Sequence, residues 1–259
     1  MQQVAQCGWC GARYVREGDG LCPHCLLRQR YTQLNHVQST VLLKALRVFA
    51  PIEFAYSLQI FQERSMLHQA IIDLKYHGYL RNGLSLGHLL GRYVASADQR
   101  PAFDAIVPVP LHWRKQLIRG YNQSQLIARG MAKELGLPVL HVLRRNRFTT
   151  TQTHMPDLAR RLNNMSNVFS LWHPERAHGK HLLLVDDVVT TGATIGNCAR
   201  ALRAIPGVRL SLASVAVTMR MFGGGMLRLL GDYGDADVDT QLTSPIGPSG
   251  IAYLSACSY

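Results

Sequence analysis

Short uninterrupted apolar runs alternate along this chain with stretches in which apolar residues recur every three or four positions. Thr32 to Pro51 reads as a helical connector, and Ala55 to Phe61 as a strand. Leu67, Ala70, Ile71 and Leu74 then place a helix over Ser65 to Tyr76, and Leu84 to Val94 fits another. Asp104 to Pro110 reads as a buried strand ending in a turn; a helix follows through Leu126, Ile127 and Met131 to Gly136, and Val139 to Leu143 reads as a third strand. His181 opens the plainest run, Leu182 to Val185, which leads into Asp186 and Asp187 at the strand's C-terminal end. Ile195, Ala199, Leu202 and Ile205 give the next helix, Pro206-Gly207 stops it, and Leu210 to Val217 is a last strand. Strands alternating with helices predict an α/β domain with a largely parallel sheet, whose ligands sit at the strands' C-terminal ends.

The chemistry concentrates between Asp186 and Thr194. A loop between a strand and a helix N-terminus offers free backbone N–H groups and the positive end of the helix dipole. Gly192 lets backbone approach a ligand, and Thr190, Thr191 and Thr194 add hydroxyls, so the loop with Ala193 makes a cradle for one phosphate. Two adjacent carboxylates crowd each other unless they accept hydrogen bonds or face a cation. The two hydroxyls of a ribose, with Mg²⁺ nearby, meet both needs.

Residues 1–36 form a separate unit. Cys7-x-x-Cys10 and Cys22-x-x-Cys25 are two hooks with eleven residues between them, able to supply four thiolates to one tetrahedral Zn²⁺, the alternatives being two redox pairs or a disulfide scaffold. So short a unit has little core, and metal would supply most of its folding energy. Cys198, on an apolar helix face, reads as a small buried hydrophobe.

Composition narrows the class. A chain of 259 residues, 47% hydrophobic, buries a substantial core. Its charge of +12 is uneven: Leu111 to Arg161 holds ten Lys/Arg against Glu134 and Asp157, a net of +8. This predicts a polyanion nearby, pyrophosphate, nucleotide or nucleic acid, or else a solvated basic face. Neither a signal peptide nor a membrane span is visible, so a cytoplasmic setting with reduced thiols is expected. Within Arg144 to Asn167, Arg145, Arg147, Gln152 and Arg160 suit a mobile lid over a charged substrate, the alternative being a plain surface hairpin.

The apolar strand, the Asp186-Asp187 pair and the Thr-Thr-Gly-Ala-Thr loop resemble type I phosphoribosyltransferases, which bind phosphoribosyl pyrophosphate (PRPP). Pro108-Val-Pro110-Leu111, Arg119-Gly120-Tyr121-Asn122-Gln123, Gln152…Arg160…Asn163, Lys75-Tyr76 and the four cysteines narrow the resemblance to the ComF/GntX family over about Cys7 to Val217. It implies a zinc ribbon at 1–36, with Cys7, Cys10, Cys22 and Cys25 as ligands, and a phosphoribosyltransferase-like domain at 37–217. It further implies that Asp186 and Asp187 hold the ribose, that Thr190 to Thr194 hold the 5′-phosphate, and that Arg119 and Gly120 belong to a pyrophosphate loop. Purine-salvage members typically carry an acid at the place of Thr190, so a hypoxanthine- or guanine-type transferase is disfavoured and the nucleophile is left open. No general base is assigned.

Two functions follow. One is Mg²⁺-dependent phosphoribosyl transfer from PRPP to an unknown acceptor, with a role in DNA uptake or use during natural transformation. The other is a non-enzymatic module sensing PRPP or a nucleotide while holding single-stranded DNA or a competence partner, with Trp9, Trp113, Tyr121 and Phe148 as candidate stacking aromatics. Gly83-Leu-Ser85-Leu-Gly87 matches a hydrolase nucleophile elbow in letters only, since no apolar run precedes it. Residues 218–259, with Asp235-x-Asp237-x-Asp239, lack the glycine and glutamate of a calcium loop and read as a divergent or disordered tail.

Overall fold

The computed structural model describes residues 4–6, 13–15, 36–61, 66–98, 100–146 and 168–222. Contacts divide the chain into Met1–Phe222 and Gly223–Tyr259, the second lying wholly outside the described residues. Strands β1 (Val4–Gln6) and β2 (Arg13–Val15) pair antiparallel. Cys7 and Cys10 fall between them; all four hook cysteines lie outside the described residues.

The main sheet is parallel, in the order β3 (Ala55–Ile60), β8 (Arg209–Val217), β7 (His181–Val189), β4 (Ala105–Pro108). Its interior strands β7 and β8 are buried on both faces, which is why both read as nearly unbroken apolar runs. Helices α2 (Met66–Tyr76), α3 (Leu80–Ala95) and α5 (Gln123–Leu135) share one core with Leu58, Ile106, Leu183, Val185 and Val215 of the sheet. Helix α1 (His36–Arg47) packs on β3, and α6 (Ala193–Leu202) follows β7.

Helices α3 and α5 meet through glycine. A Cβ on Gly87 would stand 2.1 Å from the Ile127 carbonyl oxygen, and one on Gly130 would stand 2.3 Å from that of Leu84. The expected non-elbow is borne out, because Ser85 is buried inside α3.

Three elements depart from the pattern. Val139 makes a single parallel bridge to Ile106, and the chain pairs again only at β5 (Leu143–Arg145), which joins β6 (Phe169–Leu171) in a separate antiparallel pair. The apolar run from Val139 to Leu143 therefore serves two sheets. A short helix, α4 (Trp113–Arg119), precedes the helix expected through Leu126; none of its residues is buried, and its apolar Trp113, Leu117 and Ile118 are exposed. Strand β7 continues through both acids to Val189.

Candidate functional site

The site is built on the C-terminal ends of β7 and β4. Asp186 and Asp187 are consecutive strand residues and face opposite sides of the sheet. Asp187 Oδ2 meets the Lys75 ammonium, at the end of α2, at 2.8 Å. Its Oδ1 accepts the Val188 N–H at 2.7 Å. Asp186 Oδ1 accepts from the Ser124 hydroxyl and from the Asp187 N–H, each at 2.9 Å. Burial and the charge of Asp187 raise the Asp186 carboxyl to about 7, against the pull of Ser124, the Asp187 amide and Lys75. Burial would raise Asp187 too, but Lys75, the Val188 amide and Arg119 outweigh it and hold that carboxyl below its ordinary value. The pair is thus split into an ionised member and a member that keeps its proton to neutrality.

Arg119, Gly120, Tyr121 and Asn122 of the Arg-Gly-Tyr-Asn-Gln element each have a local task. Arg119 lies over the Tyr76 ring at 5.3 Å and within electrostatic range of Asp187. Gly120, at φ 78°, ends α4 in the left-handed region that glycine enters without strain. The Tyr121 hydroxyl donates to the Leu74 carbonyl, tying α5 to the end of α2. Asn122 caps α5 through the Ser124 N–H (3.1 Å) and donates to the Val109 carbonyl (3.0 Å), fixing Ser124 relative to β4. Gln123 is buried at the first turn of α5.

Cations gather round the acids. Burial, followed by the charges of Arg119, Arg145 and Lys75, pushes the Lys115 ammonium below its ordinary value. Four cations on α2, α4 and β5 therefore share one field, and Arg145 also feels Asp186. Such a field suits an anion with more than one charge. Of the expected lid residues, Arg145 sits in β5, half-buried near Asp186; Arg147, Gln152 and Arg160 lie outside the described residues.

The loop after β7 is open where an anion would enter. Thr190 and Thr191 are exposed. Gly196 is the first N–H of α6 to reach a carbonyl in its own helix, that of Gly192 at 2.8 Å, so the amides before it have no helical partner. Gly192 has φ 76°, and a Cβ there would meet Met221 Cε at 2.9 Å and Phe49 Cδ2 at 3.0 Å. What this glycine permits is the seating of the loop on the protein behind it. Thr218 braces the same loop, donating through its N–H to the Val189 carbonyl and through its hydroxyl to that of Thr190, both at 2.9 Å.

Lys75, Lys115, Ser124 and Asn122 are site residues to which the sequence assigns no role, although Lys75 and Asn122 lie in motifs that carry the resemblance. Lys75 ends an amphipathic helix and Lys115 lies in a basic run, and neither position shows its partner before folding brings them together. Trp113 is exposed as a stacking residue requires, whereas Tyr121 is half-buried and engaged with α2; Trp9 and Phe148 lie outside the described residues. Cys198 is buried, and burial lifts its thiol well above the ordinary range. A cleft of about 730 Å³ is lined by Arg47, Phe49, Glu53, Arg203 and Arg209, and Phe49 is also the residue behind Gly192.

A parallel sheet bearing an acid pair and an open loop at the C-terminal end of a central strand is the layout that the resemblance to phosphoribosyltransferases implies. No family model matches the chain. Over 200 residues it is 33% identical to DNA utilization protein YhgH of Salmonella typhi, covering 76% of this chain and 83% of that protein. Over 102 residues it is 37% identical to Competence protein F of Haemophilus influenzae, covering 39% of this chain and 44% of that one. The chain belongs to the family of these proteins, the ComF family. Among solved structures, adenine phosphoribosyltransferase of Leishmania tarentolae aligns with 64% of this chain and 92% of its own, at a TM-score of 0.38 and 12% identity. Glutamine PRPP amidotransferase of B. subtilis aligns with 50% of this chain and 25% of its own, at 0.34 and 20%.

Proposed function

We propose that this protein binds PRPP at the Asp186–Asp187 pair and serves in the use of incoming DNA, the role its relatives' names carry. The supporting observation is the split acid pair, followed at once by the open Thr190–Thr194 loop and set in the field of Lys75, Lys115, Arg119 and Arg145. The acids take the ribose hydroxyls, the loop takes the 5′-phosphate, and Arg119 and Gly120 flank the pyrophosphate. Mg²⁺ fits this arrangement as a companion of the pyrophosphate, because Asp187 Oδ2 is already engaged by Lys75. In the transfer, the C1′–O bond to pyrophosphate breaks with its electron pair going to the leaving group, and an acceptor of unknown identity bonds to C1′. Calorimetric titration of PRPP with Mg²⁺ tests the pocket: the wild type binds and the Asp186→Ala/Asp187→Ala double variant does not. Wild-type protein that fails to bind ends this reading.

Single-stranded DNA binding is a second reading, favoured by the exposed aromatics beside the site. Trp113 and Tyr76 stand in the open, 54% and 69% exposed, each with a guanidinium near its ring (Arg114 at 5.2 Å and Arg119 at 5.3 Å). Fluorescence anisotropy with a labelled oligothymidylate tests it, and no binding at low salt rejects it. For the N-terminal unit we propose one structural zinc on Cys7, Cys10, Cys22 and Cys25; metal analysis should find zinc in proportion to protein, lost in Cys22→Ser.

A further inference from the structure

We propose that Lys75 is a specificity-determining residue of the acid pair, whose ammonium on Asp187 Oδ2 closes the pair to free divalent cations and leaves it to hydroxyl donors. The inference rests on the reading that the pair holds a sugar diol. Two neighbouring carboxylates would ordinarily make a start on a cation site, since hard divalent cations seek carboxylate oxygens. Here three of the four oxygens are engaged before any cation arrives. Asp187 Oδ2 is engaged by Lys75 at 2.8 Å and Oδ1 by the Val188 N–H at 2.7 Å, while Asp186 Oδ1 carries two donors.

Lys75 is well placed for this work. Its side chain is 23% exposed and that of Asp187 is 13% exposed, so water screens the pair far less than a surface ion pair. The end of its helix is held from the turn before α5, where the Tyr121 hydroxyl donates to the Leu74 carbonyl. Arg119 and Lys115 stand in the same field, and an arriving M²⁺ must approach against all three. A ribose meets no such opposition, because its hydroxyls donate to carboxylate lone pairs and bring no charge. A cation bound to pyrophosphate is likewise admitted, because the complex as a whole is anionic. Lys75 therefore makes metal entry conditional on the phosphorylated ligand.

The test is titration of Mn²⁺, followed by the loss of its free-ion electron paramagnetic resonance signal, into full-length zinc-loaded protein without phosphate. The wild type should show no Mn²⁺ site that Asp187→Asn removes. Lys75→Met should bind Mn²⁺ at least about tenfold more tightly, the loss of one adjacent unit charge being worth that much in a partly screened site. Lys75→Arg should behave as wild type, and Asp187→Asn should abolish the gain in the Lys75→Met background. A wild-type site removed by Asp187→Asn overturns the proposal without recourse to any Lys75 variant. So does a Lys75→Met protein, folded by circular dichroism, that gains nothing, or a gain that survives Asp187→Asn. A parallel PRPP titration separates the two readings, since loss of PRPP binding speaks to the pocket and the Mn²⁺ result speaks to Lys75.

Discussion

Asp186 holds a proton in the folded protein that it releases in the unfolded chain, and this has a measurable sign. Its carboxyl is raised from 3.8 to about 7. Between those values the native state binds more protons than the unfolded state, so this group's contribution to stability falls as pH rises from about 4 to 7 and is level above that. Asp187 has the opposite sense: its stabilising contribution is present above its unfolded value and is lost as pH falls through the depressed folded one. Asp186→Asn removes the first slope. Urea denaturation at pH 5 and pH 8 should show the variant gaining on wild type at the higher pH, by on the order of 2 kcal/mol. Equal differences at both values would mean that Asp186 titrates normally. The acids themselves were legible in the sequence because they follow an apolar run. Their unequal states were not, because Lys75 and Ser124 act on them across the fold.

At the scale of elements, the tightest contact is between α3 and α5. Gly87→Ala must push a methyl group towards the Ile127 carbonyl, and separating the helices should cost about 1–3 kcal/mol. A thermal melt reads that loss directly, and an unshifted midpoint would show that the helices can part without penalty. The cap of α5 links stability to the site. Asn122→Ala frees the Ser124 N–H and the Val109 carbonyl, so it should cost about 1–2 kcal/mol and weaken PRPP binding as well, because Ser124 then loses its place beside Asp186. Most of these elements are readable from apolar spacing, since α2, α5 and β8 each bury one regular face or run. Helix α4 is not, because it buries nothing; Val139 to Leu143 misleads, because apolar character says that a segment is buried and not which sheet it joins.

For the molecule as a whole, the net charge bears on the proposed binding of single-stranded DNA. A chain at +12 with its cations gathered around exposed rings should hold single-stranded DNA with a steep salt dependence. Trp113→Ala and Tyr76→Ala should each weaken an oligothymidylate by about 1–3 kcal/mol while leaving the salt slope nearly unchanged, since a ring stacks and neutralises no phosphate. A flattened slope with unaltered stacking would point instead to the arginines beside them. No described helix is long and apolar enough to cross a membrane.

The sheet order also bears on how the protein is made. Strand β3 finds its described partner only in β8, and the Phe54 N–H reaches the Ser211 hydroxyl across 157 residues of chain. At about 5–20 residues per second of synthesis, β3 waits on the order of ten to thirty seconds on the ribosome before its partner is made. During that interval its apolar edge is open to chaperones and to neighbouring nascent chains. A polypeptide released before Leu210 is made carries the acid pair and the phosphate loop in its sequence, yet has no β8 to hold β3 beside them.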